Sequence, residues 1–411
     1  MTYRIDCSAC GGEFASVDSG CCSKCGGRVQ VLYDLDRVPA SFAAAGCDMW
    51  DYRALLPVEA DLSIITMGEG RTPLVISRTI GPALGIKQLY FKLETCNPTG
   101  SFKDRIASLM LSRYAHQGVA TMLIITSGNA GSAVAAYAAR ARIRCIAVQM
   151  AEAPPSKRLQ LHAYGALVVL LDGIKDSPGN LELAFTGLLE VGRSRGWPVS
   201  VMAHYYDPIN VEAYKTISFE ICDRLGDDPF DVYVPVGGGG LFAAMAKGFK
   251  EYAQLGRIAE RPRMVVVQPA GASSVAAGFD QGQDDAVRVE PNTAVSGVGG
   301  AYSLDGSLII DSLRATGGHC CGPTDEQTHQ AQVRLAGEEG IFAEPAGALS
   351  VAGLINDVKE KGLDHDRPVV CVITGSGFKD QEAAQRLFNS KQTPMVHVRE
   401  IEKIPSIVDA K

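Results

Sequence analysis

The sequence predicts an α/β protein built on parallel sheets, with a small cysteine-bearing segment ahead of the main body. Three observations lead there. After Tyr33, short β-branched runs alternate with helix-length amphipathic segments, the pattern of parallel strands joined by crossover helices. Hydrophobic residues make up 46% of the 411 and charged residues 21%, a globular composition with interior enough for two or three domains. Five of the twelve cysteines fall before residue 26.

Lys+Arg 39 against Asp+Glu 46 leaves a net charge of −7 with no basic stripe. Neither nucleic acid nor an anionic membrane is therefore an expected partner, and a small molecule is the expected ligand. The longest apolar runs, Ala166 to Leu171 and Met264 to Val267, fall well short of the ~18 residues of a membrane span. Arg4, Asp6 and Cys7 stand where a secretory signal needs an apolar stretch, so the cytoplasm is the expected location.

The first element is the cysteine segment. Cys7-Ser-Ala-Cys10-Gly-Gly returns as Cys22-Ser-Lys-Cys25-Gly-Gly, displaced by fifteen residues. Two residues between paired cysteines let one tight turn bring both sulfurs to an ion, and four thiolates complete a tetrahedral zinc shell. Cys7, Cys10, Cys22 and Cys25 are the expected ligands of a structural Zn2+, with Cys21 as the alternative to Cys22. A filled shell leaves no place for water, so the metal should fold the segment and do no chemistry. The Cys320-Cys321 pair reads as ordinary core or surface thiols.

Strands are expected at Met122 to Thr126, Cys145 to Gln149, Val168 to Leu171, Val199 to Met202, Val232 to Val236, Met264 to Gln268 and Val369 to Thr374. Ligands of open α/β sheets bind at the carboxyl ends of such strands. Three loops there stand out. Gly237-Gly-Gly-Gly240 runs into a helix marked by Leu241, Phe242, Met245 and Phe249. Bare backbone amides and the positive end of a helix dipole make an anion cradle suited to phosphate. Gly238, Gly240 and Ala243 fit the permissive dinucleotide fingerprint, but Gln268 ends the next strand where a ribose-binding acid would stand. Ser127-Gly128-Asn129 offers hydroxyl, amide and backbone donors at a helix start, and Thr374-Gly-Ser-Gly377 leaves the last strong strand.

Lys103 follows Asn97-Pro-Thr-Gly-Ser-Phe102 and opens a helix whose apolar face is Phe102, Ile106, Leu109 and Met110, with Ser101 and Asp104 spaced as a capping box. A cation at the positive end of a helix is disfavoured, which lowers its pKa toward the neutral amine that covalent catalysis needs.

Together, Asn97-Pro-Thr-Gly-Ser-Phe-Lys-Asp-Arg105, Ser127-Gly-Asn129, the four glycines and Thr374-Gly-Ser-Gly-Phe-Lys-Asp380 resemble the fold-type II pyridoxal-phosphate enzymes, and most closely the threonine synthase family. Met67-Gly-Glu-Gly-Arg-Thr-Pro-Leu74, Tyr214-Lys-Thr-Ile217 with Phe219-Glu-Ile221, and Glu338-Glu-Gly-Ile341 with Glu344-Pro-Ala346 extend the resemblance over nearly the whole chain, as does the cysteine ribbon ahead of it. It implies two three-layer α/β domains behind a zinc ribbon: 1–33 the ribbon, 34–96 and 208–411 a large cofactor-binding domain, 97–207 a small mobile domain. It implies that Lys103 holds pyridoxal 5'-phosphate covalently and then shuttles protons. Gly237, Gly238, Gly239 and Gly240 hold the cofactor phosphate, Asn129 bonds the ring hydroxyl, and Thr374 faces the ring nitrogen. A hydroxyl partner there does not force protonation of that nitrogen, giving a milder electron sink suited to elimination and replacement.

Ser127 and Gly128 are the candidates for the substrate carboxylate, and Lys157 and Arg158 for a substrate phosphate. The implied reaction converts O-phosphohomoserine and water to threonine and phosphate in a homodimer. Gly238, Ser376 and Gly347 depart from the family, which often has Asn, His and Ser there. The alternative is a β-eliminating ammonia-lyase of the serine/threonine dehydratase kind, or a β-replacement enzyme such as cysteate synthase.

Overall fold

Alternating side chains of the central strands feed two separate cores, and this alternation sets the architecture. The computed structural model of the chain describes residues 3–17, 19–39, 46, 48–126, 128–151, 158–173, 180–360 and 366–390. Its strands are β1 (Tyr3–Cys7), β2 (Glu13–Phe14), β3 (Val29–Tyr33), β4 (Leu74–Ile76), β5 (Leu89–Leu93), β6 (Thr121–Ile125), β7 (Arg144–Met150), β8 (Leu167–Leu171), β9 (Val199–Ser200), β10 (Asp231–Pro235), β11 (Arg263–Val267), β12 (His319–Cys321) and β13 (Val369–Ile373).

These form a three-stranded sheet β2-β1-β3, a six-stranded sheet β12-β11-β10-β13-β5-β4 and a four-stranded sheet β8-β7-β6-β9. The first is antiparallel; the four-stranded sheet is parallel throughout, and the six-stranded sheet is parallel except where β4 runs against β5. In the six-stranded sheet, Val232, Val234, Met264, Val266, Val370 and Val372 face one core. Tyr233, Val265, Val267, Val369, Cys371 and Ile373 face the other. Burial on both faces is why these strands read as continuous apolar runs. The first core continues into Met122, Ile124 and Ala147 of the four-stranded sheet and into Ile5, Val29 and Val31 of the three-stranded one. The cysteine ribbon thus packs into the core of the body, and the Lys247 ammonium donates to the Val31 carbonyl at 2.6 Å.

All seven expected strands form, most with ends one residue earlier than the apolar runs. The run at 199–202 stops at Ser200, and the chain leaves the sheet there to bring Met202 to the cavity described below. The apolar β8 lies at a sheet edge with Leu167, Val169 and Leu170 exposed. The sequence pattern misses β5 because Lys92 interrupts it, yet Lys92 is only 1% exposed.

A buried ion network accounts for Lys92. Its ammonium donates to Glu220 at 2.5 Å and to the Thr72 carbonyl at 2.7 Å. The Arg105 guanidinium, fully buried, reaches Glu220 at 2.5 Å and Glu94 at 2.8 Å, and takes the Thr216 hydroxyl at 2.9 Å. Two cations thus face two anions. Burial alone would raise both carboxyls; Arg105 and Lys92 outweigh it and hold Glu220 down at about 2 and Glu94 below the ordinary carboxylate range. The network ties β5, the helix Lys103–His116 and the helix Thr216–Leu225 together.

Removing one partner of a buried pair leaves the others uncompensated, so Arg105→Ala is expected to lower the unfolding free energy by about 3–5 kcal/mol in a urea titration, whereas Arg37→Ala, at an exposed pair with Asp34, should leave it unchanged. Because Glu220 is depressed from 4.5 to about 2, its contribution is complete above pH 4.5 and should be lost as pH falls through 2.

Candidate active site

The carboxyl ends of β6, β10 and β13 converge on a cavity of about 310 Å³, as expected for ligand sites of open α/β sheets. Lys103, Gly128, Asn129, Gly237, Gly238, Gly239, Gly240 and Thr374 all line it. Ser127 and Lys157 lie outside the described residues. Arg158 does not line the cavity, and its guanidinium donates to the Ala151 carbonyl at 2.7 Å.

Lys103 is the first residue of its helix. The expected capping box is absent, since Phe102 is the cap residue and makes no side-chain cap bond. Asp104 turns back instead to accept from the Thr99 amide at 2.7 Å and the Thr99 hydroxyl at 2.5 Å. The Phe102 amide donates to the Thr374 carbonyl at 3.1 Å, and the Ser376 amide to the Gly100 carbonyl at 2.9 Å. These bonds staple the lysine loop to the loop after β13, which fixes where Lys103 points. Its Nζ lies 3.2 Å from the Tyr214 hydroxyl and 4.3 Å from the centre of the Phe102 ring. Burial lowers its pKa to about 8, against an opposing pull from Glu344. Desolvation is thus the main cause, where the sequence pointed to the helix end.

Three of the four glycines are required, each for its own reason. Gly239 has φ +109°, and a Cβ there would sit 2.8 Å from Asp305 Cβ. A Cβ on Gly237 would meet the Gly297 carbonyl at 2.7 Å, and one on Gly240 the Met202 carbonyl at 2.9 Å. Gly238 has open space beside it. The amides of Gly237, Gly238 and Gly239 donate to no backbone carbonyl among the described residues, and the helix Gly240–Gln254 starts from the loop. Free amides at a helix start are the donor set that a phosphate group requires. Gln268, by contrast, is used up internally on Ser303, Ser274 and the Val275 amide.

Sequence reasoning missed three site residues: Glu344 and Lys379, which line the cavity, and Tyr214, which touches Lys103 from behind its wall. Glu344 accepts from Asn129 Nδ2 at 2.8 Å, so that amide is already oriented from one side. Lys379 donates to the Thr99 carbonyl at 2.9 Å and to Gln160 at 2.5 Å, and burial lowers its pKa to about 8 against Glu344 and Asp104. Tyr214 holds the Lys103 amine. Each lies in a segment quoted above only as a motif, and local sequence carries no sign that a side chain 111 residues away meets Lys103.

At the ribbon, the sulfurs of Cys7, Cys10, Cys22 and Cys25 lie within 4.8 Å of one another, while Cys21 pairs by backbone with Arg28. The Cys7–Cys25 and Cys10–Cys22 separations are 3.6 and 3.8 Å, matching the roughly 3.8 Å edge of a tetrahedron with Zn–S bonds of about 2.3 Å. The donor set fits zinc. A second group, His319, Cys321 and Asp357, has His319 Nε2 at 2.5 Å and Cys321 Sγ at 2.9 Å from one Asp357 oxygen. Those are hydrogen-bond separations, closer than ligands sharing a zinc ion at about 2.0–2.3 Å each. No described helix is long and apolar enough to cross a membrane.

Residues 65–375 match the family model described as pyridoxal-phosphate dependent enzyme. The chain is 33% identical over 388 residues to a threonine synthase of Methanocaldococcus jannaschii, covering 92% of this chain and 94% of that one. It is 32% identical over 334 residues to a threonine synthase of Halalkalibacterium halodurans, covering 81% and 90%. Among solved structures, its fold is similar to threonine deaminase isoform 2 of Solanum lycopersicum, with TM-score 0.66 and 23% identity over 77% of this chain and 82% of that one.

With its pKa at about 8, the Lys103 amine should be neutral above that pH and protonated below it. Reductive methylation of cofactor-free protein, followed by peptide mass spectrometry, is expected to label Lys103 with a midpoint near pH 8, while exposed lysines label only at higher pH.

Proposed function

The chain belongs to the pyridoxal-phosphate dependent enzymes and, among them, to the threonine synthases, and on that premise we propose O-phosphohomoserine as its substrate and the cavity at Lys103 as its catalytic centre. The observation that carries the reading is a buried, easily deprotonated lysine facing a cradle of free glycine amides in one cavity.

Bound there, pyridoxal phosphate supplies an electron sink for the carbons beside the substrate amine. The amides of Gly237 to Gly240 hold its phosphate, the Asn129 amide takes its ring hydroxyl, and the Thr374 hydroxyl faces its ring nitrogen. Lys103 would hold the cofactor covalently and, as a free amine, would move protons at the substrate's α and β carbons. Tyr214 would keep Nζ at the cavity wall. Ser127 and the Gly128 backbone take the substrate carboxylate. Lys157 and Arg158 are candidates for the substrate phosphate, together with Lys379, which with Lys103 supplies the cations lining the cavity among the described residues. Phosphate would leave from the γ carbon, which takes up a proton to become the methyl group, and water would add at the β carbon.

Around this centre we place a structural zinc on Cys7, Cys10, Cys22 and Cys25, closure of 97–207 over the substrate to exclude water, and a cytoplasmic homodimer. The four-glycine loop, with Gly238 where threonine synthases often have Asn, carries a second reading, elimination from serine or threonine without a phosphorylated substrate.

A product assay separates the two. O-phosphohomoserine should yield threonine and phosphate in equal amounts, and Lys103→Ala should cut the rate by about 10³-fold or more and remove the visible absorbance of the lysine-bound cofactor. Release of a 2-oxo acid and ammonia from serine or threonine, with no phosphate from O-phosphohomoserine, would overturn the synthase reading. Metal analysis should find one zinc per chain in the native protein and none in Cys10→Ser.

A further inference from the structure

The ribbon and the glycine cradle are linked by a continuous run of hydrogen bonds that neither site requires for its own chemistry. On the ribbon side, Gly20 precedes Cys21 and Cys22, and its carbonyl accepts from the Val29 amide at 2.7 Å. Its own amide donates to the Tyr205 carbonyl at 2.8 Å. A side chain on Gly20 would overlap the His204 carbonyl, so the ribbon backbone lies directly on residues 204–205. Those two residues are held in turn by Asp305. The His204 amide donates to Asp305 Oδ2 at 2.9 Å and the Tyr205 amide to Oδ1 at 2.8 Å, which occupies both oxygens of a carboxylate only 2% exposed. The Asp305 amide then donates to the Gly238 carbonyl at 3.0 Å, and its Cβ stands where a side chain on Gly239 would go. Asp305 also stands at the N-cap position of the helix Gly306–Thr316, with no side-chain cap bond, and Ser307 and Asp311 of that helix hold Arg28 of the ribbon at 2.9 and 3.2 Å.

We infer that Asp305 is a positioning residue for the cofactor phosphate, joining the cysteine ribbon to the glycine cradle so that metal binding at one and cofactor binding at the other are thermodynamically coupled. This rests on the reading of the ribbon as a zinc site and of Gly237–Gly240 as the phosphate cradle. The cradle needs its amides aimed at one point, and the Gly237 and Gly238 carbonyls behind them are held by the Ser303 hydroxyl at 2.7 Å and the Asp305 amide at 3.0 Å. Asp305 fixes that backbone at Gly238 while gripping the segment on which the ribbon sits. An ordered ribbon should therefore reduce the ordering that the cradle must undergo when phosphate binds.

The test is a thermodynamic cycle on the full chain. Cofactor-free protein is titrated with pyridoxal phosphate, followed by visible absorbance, with zinc present and after its removal by a chelator. Zinc and bound cofactor are counted in each state, and the phosphorus resonance of the bound cofactor is recorded. In the native protein, zinc removal is expected to weaken cofactor binding by about 5- to 50-fold and to shift the resonance. Gly20→Ala disturbs the ribbon contact without touching the cavity. It should retain zinc yet lose most of the coupling, so that its zinc-bound constant approaches the zinc-free native one. Asp305→Ala should bind cofactor more weakly in both states and show no dependence on zinc. Zinc and cofactor both bound, with affinity and resonance indifferent to zinc in the native protein, would overturn the inference and leave both site assignments standing. Coupling that persists undiminished in both variants would also overturn it. Absence of bound zinc, or of a cofactor absorbance band, would instead bring down the underlying reading and the inference with it.

Discussion

The cavity depends first on Arg105. A guanidinium fully removed from water between Glu94 and Glu220 is tolerable only if its charge is matched and its donors are used. Lys92 supplies the second cation, and the Thr72 and Thr216 hydroxyls take further donors. Three members lie beside segments of the candidate site. Glu94 is held by Asn97 at the start of the lysine loop, Arg105 sits two residues after Lys103, and Glu220 lies in the helix that follows Tyr214. Meeting the demands of one buried charge therefore sets the mutual positions of the lysine, its loop and its tyrosine partner.

The same desolvation serves two opposite ends. In the network, burial is outweighed by paired charges and the groups stay ionised. At Lys103, no carboxylate comes within ion-pair distance among the described residues, Glu344 acts only from further off, and burial brings the amine toward neutrality. The structural ions and the Lys103 amine thus differ by whether a counter-charge was brought within ion-pair distance, with burial common to both. Glu344 takes part in both patterns: it opposes the burial of Lys103 and Lys379 and orients Asn129.

The ribbon shares the hydrophobic core of the body through Val29 and Val31, and its polar contacts reach the cradle through Asp305. A segment that sequence presents as an appended unit is thus continuous with the catalytic body, in packing and in hydrogen bonding.

The strands, the glycine loop, the lysine and the cysteine quartet were legible in the sequence because each follows from local chemistry: alternation along a strand, bare backbone before a helix, two residues between paired sulfurs. Boundaries shifted by a residue where the chain leaves a ladder, and β5 was hidden because Lys92 looks like a surface residue until Glu220 is seen beside it. The capping-box reading failed for a related reason, since Asp104 found a nearer donor in Thr99. Tyr214, Glu344, Lys379 and Asp305 acquire their contacts only where distant segments meet. By itself the sequence determined which groups could do the chemistry and which elements would carry them. Tertiary structure decided which charges are paired and which lysine is left to titrate, because removal from water and the arrival of a counter-charge are properties of the packed interior and of no single segment.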